Sequence, residues 1–493
     1  METAFRVCPL CEATCGLAVT LEKDLIVGVR GDRDDLFSHG FICPKGALLG
    51  ELDQDPDRLR APLVRDGSTW REVGWSEAFA RIEAGLRPLI SAHGADAVAC
   101  YLGNPNTHTT AGGLYIKPLL KALGTRNIYS ASTVDQMPKH VSCGLMFGNP
   151  LSIPVPDLDR TDHLLMLGAN PLESNGSLCT APDFPGRIKA LRARGGSLAV
   201  VDPRRTRTAA LADRHVAIRP GTDAFLLFAM VHVLLAEGLA EPGPLLAHLV
   251  GLEELAAHAA AFPPEAVAQA CGVPAETIRA LARELAAAPT AAVYARIGTT
   301  TVEFGTLTSW LVDVLNILTG NLDRPGGAMF PQAPHLPAPR PGPGRGYRTG
   351  RWHSRVRHLP EANGELPVAT LADEIETPGD GQIRALITVA GNPVLSTPNG
   401  PRLDEALAGL DFMVAVDCYL NETTRHADVI LPPSRIVEKD HYDFAFNMLA
   451  VRNVPRYNPP LVEKAPGVLD ECEILARLTM IASGYGPDAD PAL

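Results

Sequence analysis

Four cysteines near the head of the chain have the spacing of a metal-cluster site. Cys8, Cys11 and Cys15 fall within Cys8-Pro9-Leu10-Cys11-Glu12-Ala13-Thr14-Cys15, and Cys43 follows a short hairpin-like segment in Ile42-Cys43-Pro44-Lys45-Gly46. A cubane iron–sulfur cluster needs four thiolates directed at one small volume, and a tight triplet plus one distant cysteine supplies them. Structural zinc is the rival reading, although its usual signature is two CxxC pairs. A disulfide pair is the third, but the sequence shows no secretory context that would oxidise it. The spacing favours the cluster, and Lys45 sets a fixed positive charge beside it.

The elements that must position this loop read as short strands and turns over residues 1 to about 60, including Leu17–Leu21 and Leu25–Val29. A helix is expected from Glu77 to Ala92, after which strands alternate with helices, the pattern of a parallel sheet with crossovers. Two later stretches repeat one unit. The first is Leu164–Leu167, Gly168-Ala169-Asn170-Pro171, a helix, then Leu198–Val201 ending at Asp202. The second is Leu386–Val389, Ala390-Gly391-Asn392-Pro393, a helix, then Phe412–Val416 ending at Asp417. Each is a buried strand, a turn, a crossover helix and a second strand closed by an acid. This is the layout of a mononucleotide-binding half-unit, with backbone amides for phosphate and the acid for ribose or base. Any such unit needs a turn there, and Gly-Asn-Pro suits one; two copies point to two nucleotide-bearing ligands.

A chain of 493 residues is expected to hold two to four domains. Apolar residues make up 46% and charged residues 20%, as in an ordinary globular protein. A formal net charge of −12 argues against nucleic acid as a partner. No apolar run reaches membrane-spanning length; Ala224 to Ala240 carries His232 and Glu237 and reads as a buried helix. With neither a signal-peptide core nor a twin-arginine pair at Met1–Cys11, the expected location is the cytoplasm. Cys100, Cys143, Cys179, Cys271, Cys418 and Cys472 stand singly and are expected to pack as small hydrophobes.

The CPLCEATCG run with ICPKG resembles the opening of the molybdopterin oxidoreductases, the superfamily of formate dehydrogenases, nitrate reductases and dimethyl sulfoxide reductase. Further stretches keep the family's order. Val201-Asp202-Pro203-Arg204 with Arg207-Thr208 resembles its guanosine-binding loop, and Ile218-Arg219-Pro220-Gly221-Thr222-Asp223 its IRPGTD motif. Thr319–Leu322 with Pro325-Gly326-Gly327 resembles TGNLxxPGG, and Thr423 to Pro432 resembles TxxxADVVLP. The resemblance covers residues 1 to about 445.

It implies an α/β fold, with an N-terminal iron–sulfur domain and two related Rossmann-like parallel-sheet domains in pseudo-twofold arrangement. The expected division is 1–60, joined by parts of 435–493; 61–133 with 331–434; and 134–330. It implies Cys8, Cys11, Cys15 and Cys43 as ligands of a [4Fe-4S] cluster, and Lys45 as the relay to a molybdenum or tungsten bis(molybdopterin guanine dinucleotide). Gly168, Asn170, Pro171, Ser174, Asp202, Arg204, Gly221 and Asp223 would bind one dinucleotide, and Gly391, Asn392, Pro393 and Asp417 the other. The implied partners are a small-molecule substrate and a redox protein or subunit, without nucleic acid or membrane insertion. The alternative is a non-catalytic iron–sulfur scaffold subunit.

In the family one side chain usually ligates the metal just after the first sheet segment, and that slot here holds Asp135. A carboxylate is an acceptable hard donor, although an aspartate three residues before Pro138 can also cap the helix that follows. Gln136, Lys139 and His140 are neighbours that could reach the pocket, and Cys143 is the softer alternative ligand. Formate dehydrogenases place a thiolate or selenolate at the ligand, a histidine after it and an arginine after the PGG motif. Here Asp135, Gln136 and Phe330-Pro331-Gln332-Ala333 stand there, so oxygen-atom transfer is the more natural expectation. An aspartate ligand resembles that of the membrane-bound respiratory nitrate reductases. The family's EKxGTFxN run reads Glu438-Lys439-Asp440-His441-Tyr442-Asp443-Phe444, and its long β-barrel extension has no counterpart before Leu493. A truncated or split subunit, or an incomplete sequence, is expected. Pro331 to His358, with Arg340, Arg345, Arg348, Arg351, Arg355, Arg357, His353 and His358, reads as a solvated connector or as a basic lip over a substrate channel.

Overall fold

The computed structural model describes residues 1–337 and 346–490. An antiparallel meander, β1 (Glu2–Val7), β2 (Gly16–Glu22) and β3 (Leu25–Gly31), opens the chain. Its inner side chains Leu17, Val19 and Leu21 are buried with Ile26 and Leu49, the alternation expected of a one-faced sheet. The cysteine triplet is the β1–β2 connection.

Beyond the meander come the hairpin β4 (Leu63–Asp66) and β5 (Thr69–Glu72), then β6 (Val98–Leu102) and β7 (Ile128–Ser130). The two-residue β8 (Val155–Pro156) precedes β9 (His163–Leu167), β10 (Ser197–Val201), β11 (Arg214–Val216) and β12 (Ala291–Ala295). A short β13 (Ala328–Met329) pairs with β8, and β14 (Ala385–Val389), β15 (Phe412–Val416) and β16 (Val429–Leu431) complete the set.

These strands form two main sheets. One runs β5-β4-β16-β15-β14-β6-β7, parallel from β16 to β7 with an antiparallel hairpin at the edge. The other runs β11-β10-β9-β12, all parallel. The inner order is the same in both: a first strand (β14 or β9), two successors on one side, and a strand from elsewhere in the chain (β6 or β12) on the other. Each sheet therefore has a topological switch point, between β14 and β6 and between β9 and β12, where α/β sheets open a binding crevice. All five residues of β9 and of β14 are buried, as strands covered on both faces must be.

Helix Asp223–Ala236 buries nine residues and packs against Gly305–Leu318, as its apolar composition predicts. Among the described residues no helix is long and apolar enough to cross a membrane. The Arg-rich segment differs from both expectations. Arg351 pairs with Glu361, Arg355 with Glu374 at 3.2 Å and Arg357 with Asp373 at 3.8 Å, while Trp352 packs on the core of the seven-stranded sheet. These three arginines are therefore paired within the segment, because the acids that meet them follow within the next twenty or so residues, while Arg348 is exposed. Arg340 and Arg345 lie outside the described residues.

Candidate active site

The loop from Cys8 to Cys15 is closed by its own backbone, Cys8 N–H donating to the Cys15 carbonyl at 2.8 Å. Thr14 takes φ +49°, a conformation costly for a β-branched residue. Arg456 compensates, donating to the Thr14 carbonyl and pairing with Asp35 at 2.6 Å. Cys43 arrives as the residue preceding the short helix Pro44–Ala47. Gly46 lies so close that a Cβ there would sit 3.7 Å from Cys8 Sγ.

The four thiols are electrostatic neighbours. Burial, with Cys11 and Cys43 beside it, pushes the Cys8 thiol up to about 12, and burial with Cys8, Cys11 and Cys43 pushes Cys15 up as well. Burial also raises Cys11, against the opposing charge of nearby Lys45, whose own side chain is exposed. Burial opposes ionisation of Cys8, Cys11 and Cys15, a cost that bound metal cations offset, which is the chemistry of a cluster's donor set. Among the described residues no three His, Cys, Asp or Glu side chains are arranged to hold a single metal ion.

The two half-units share a local design. Gly168 and Ala390, each first after its strand, take φ +54° and +51° and donate to the neighbouring strand's last carbonyl, Val201 and Val416. Asn170 Oδ1 accepts from the Thr208 hydroxyl at 2.7 Å, and Asn392 Oδ1 from the Thr423 hydroxyl at 2.6 Å. The same two hydroxyls accept from the amides of Leu172 and Val394. Pro171 and Pro393 each start a one-turn helix, and Ser174 is exposed with its hydroxyl on the Asn170 carbonyl at 3.4 Å.

At the switch points the backbones nearly touch: a Cβ on Gly103 would lie 1.7 Å from the Ala390 carbonyl oxygen, and one on Gly168 2.9 Å from Gly298. Asp202 accepts from the Arg204 amide at 2.8 Å, and Arg204 itself is exposed. Asp223, 5% exposed and near Asp202, is raised by burial to about 6. Gly221 precedes it at φ +78°. Burial also raises Asp417, which accepts from the Tyr419 amide at 3.1 Å.

The second half-unit opens on a cavity of about 440 Å³. Gly391, Asn392 and Asp417 line it together with Pro9 and Leu10 of the cysteine loop; Arg6, Arg58 and Lys439 are its cations and Asp440 and Glu471 further acids, Glu471 paired with Lys439. That volume suits a small-molecule ligand. The loop's other flank meets the first half-unit, where Glu12 Oε2 accepts from the Leu178 amide at 3.2 Å. The cysteine loop thus lies between both.

Asp135 ends a short helix, Ser132–Asp135; the next helix, Met137–Phe147, begins after Gln136 with no side-chain cap. The capping role that its position also allowed is not what its side chain does. Its carboxylate lies 3.6 Å from the guanidinium of Arg296, which stands next after β12 and is 3% exposed. Burial raises the Asp135 carboxyl, and Arg296 opposes that rise. Burial also lifts Glu12 to about 7, with Arg296 opposing and Asp135 adding. Gln136 donates to Ser132 Oγ at 3.1 Å.

His140 is buried with Nδ1 on the Pro150 carbonyl at 2.9 Å, and burial holds it below its ordinary value. Lys139 turns to Asp313, Nζ to Oδ2 at 2.6 Å, and Cys143 is fully buried. Glu12 and Arg296 are additions that sequence reasoning passed over. Their available signals were an acid inside a ligand loop and an arginine closing an apolar strand at its carboxyl end.

A three-cysteine loop joined by Cys43 and set between two repeated strand–turn–helix units defines the class: an α/β protein with a four-thiol site beside two parallel sheets. Family comparison gives the class its name: the chain belongs to the molybdopterin oxidoreductases, whose model matches residues 58–452, with the Fe4S4 domain of the same group over 3–52. The cofactors of this family are a [4Fe-4S] cluster and a molybdenum- or tungsten-pterin group, and four neighbouring cysteines are the donor type that such a cluster takes.

Among curated proteins the chain is 27% identical over 89% of its length to F420-dependent formate dehydrogenase 2 subunit alpha of Methanococcus maripaludis. It is 29% identical over 97% of its length to a nitrate reductase of Symbiobacterium thermophilum. It spans 65% and 66% of those proteins. Acetylene hydratase from Pelobacter acetylenicus shares the fold, with a TM-score of 0.81, 20% identity and coverage of 97% of this chain and 69% of that one.

Proposed function

We propose that this chain is the cofactor-bearing part of a molybdenum or tungsten bis-pterin oxidoreductase, passing electrons between a small substrate and a redox partner protein or subunit. The observation that carries the reading is the seat of the cysteine loop, touching one half-unit through Glu12 and lining a cavity together with the other at Pro9 and Leu10. In this reading the domains are 1–60 with parts of 435–493, 61–133 with 331–434, and 134–330. When bound, the metal group supplies a centre that exchanges an oxygen atom and two electrons with substrate, and the cluster accepts electrons singly.

The chain's own residues bind and orient. Cys8, Cys11, Cys15 and Cys43 would hold the cluster, and Lys45, whose charge lies near Cys11, would serve as the relay toward the pterin. Asn170 and Asn392, locked by their threonines, shape the two phosphate turns. Asp202 with Asp223, and Asp417, take the two guanosines. Asp135 offers a carboxylate to the metal, which favours oxygen-atom transfer to or from a small oxo compound: XO with two electrons and two protons gives X and water. Formate oxidation is less well supported, since no thiol or selenol stands at Asp135 and glutamine follows it.

Metal and nucleotide analysis of the purified protein tests the reading. About four irons, one molybdenum or tungsten and two guanosine monophosphates per chain are expected. Iron alone would leave the scaffold alternative, and zinc alone would refute both.

A further inference from the structure

The residue that stands against Asp135 belongs to none of the motifs singled out above. Arg296 follows β12 at the switch point of the four-stranded sheet, its amide donating to the Leu167 carbonyl at 3.1 Å. Its guanidinium is nearly sealed from solvent and is engaged on several sides. Nε donates to Ser177 Oγ at 2.7 Å, and Nη2 forms an ion pair with Asp135 Oδ2 at 3.6 Å. Nη1 is enclosed and has no partner. Glu12, the residue directly after Cys11, is a second carboxylate within electrostatic reach, its Oε1 also enclosed and unpartnered. The same short segment takes a further grip, since the Thr300 hydroxyl donates to the Asp135 backbone carbonyl.

We infer that Arg296 is a positioning residue, holding the Asp135 carboxylate in the orientation that presents it to the metal. The inference rests on the proposed role of Asp135 and names the group that makes that role possible. A carboxylate on a one-turn helix has free rotation about its side-chain bonds, and ligand carboxylates are commonly fixed by a hydrogen-bonded outer partner. Arginine suits the task because it cannot lose its proton and because its planar fork reaches two acceptors from one rigid frame. Here one edge is anchored on Ser177 and another faces Asp135. Glu12 lies on the cluster side within electrostatic reach of the same guanidinium, so the cysteine loop, Arg296 and Asp135 are electrostatically linked. Lysine could supply the charge but not both contacts.

The test uses the holoenzyme with Arg296→Gln, Arg296→Lys and the milder Ser177→Ala, which removes only the anchor of Nε. X-ray absorption at the metal edge reports the oxygen donor, read against Asp135→Ala. Arg296→Gln is expected to lose or lengthen that donor and to lower turnover about 10–100-fold. Iron content, guanosine count and the reduced cluster's paramagnetic signal should stay at parent values. Arg296→Lys and Ser177→Ala should fall between parent and Arg296→Gln.

An unchanged donor set in Arg296→Gln and in Ser177→Ala overturns the inference, even if activity falls. Loss of guanosine from Arg296→Gln overturns it too, by making Arg296 a cofactor-phosphate ligand. If Asp135→Ala itself leaves the metal spectrum unchanged, the ligand assignment fails, and the positioning role falls with it.

Discussion

Asp223→Asn separates two demands made on one buried carboxyl. Asp223 begins helix Asp223–Ala236, is 5% exposed, and stands near the like charge of Asp202. Burial lifts its carboxyl from 3.8 to about 6. The fold therefore prefers the protonated form, and an ionised Asp223 penalises the nucleotide-free protein. Taking 1.36 kcal/mol for each tenfold change in proton affinity, the penalty is about 3 kcal/mol once ionisation is complete.

Its pH window follows from the direction of the shift. Below about pH 4 the group is protonated in both folded and unfolded chains, and there is no penalty. Stability then falls as pH rises from about 4 to about 6, and the full penalty applies above that. Asparagine removes the charge, so the variant is expected to match the parent near pH 4 and to exceed it by up to about 3 kcal/mol at pH 7–8. Guanine presents N–H donors that an ionised carboxylate can accept, so the variant should also retain less guanosine monophosphate when cofactor is supplied.

The assay is denaturant unfolding from pH 4 to 8 on protein made in a host without pterin synthesis, followed by nucleotide release from protein made with it. A parent–variant difference that is the same at every pH would refute the burial argument. Unchanged nucleotide retention would refute the binding role.

Cys11→Ala is expected to abolish the brown absorbance and the low-temperature paramagnetic signal of the reduced protein; unchanged spectra would refute the cluster ligation. Lys45→Ala should keep both cofactors bound while slowing electron transfer between them, checked by comparing reduction rates of cluster and metal after rapid mixing. Asp135→Cys should add one sulfur scatterer at the metal and shift its potential, because a thiolate donates more charge than a carboxylate. Asp135→Ala should remain folded, since no helix depends on its side chain for a cap, yet lose most activity.

The sequence by itself determined the parts whose causes are local. Three cysteines in eight residues with Pro9 among them read as a tight loop, and the apolar runs of β9 and β14 followed by Asn-Pro read as strands entering turns. Repetition of that unit exposed the internal symmetry before any coordinates. Helix Asp223–Ala236 was equally plain, because a segment apolar on every side has nowhere to lie but the interior.

Tertiary structure decided what depends on residues distant in sequence. The clasps of Asn170 by Thr208 and Asn392 by Thr423 join partners 38 and 31 positions apart. Arg296 reaches Ser177 across 119 positions, and Glu12 reaches Leu178 across 166. The arginines after Pro331 read as free charge because their acidic partners become neighbours only once the segment folds back on itself. Composition and spacing record which groups a chain owns. Which of them share a dry volume, and so shift one another's charge, is set by the sheet order that brings β12 beside β9 and the cysteine loop between the two crevices.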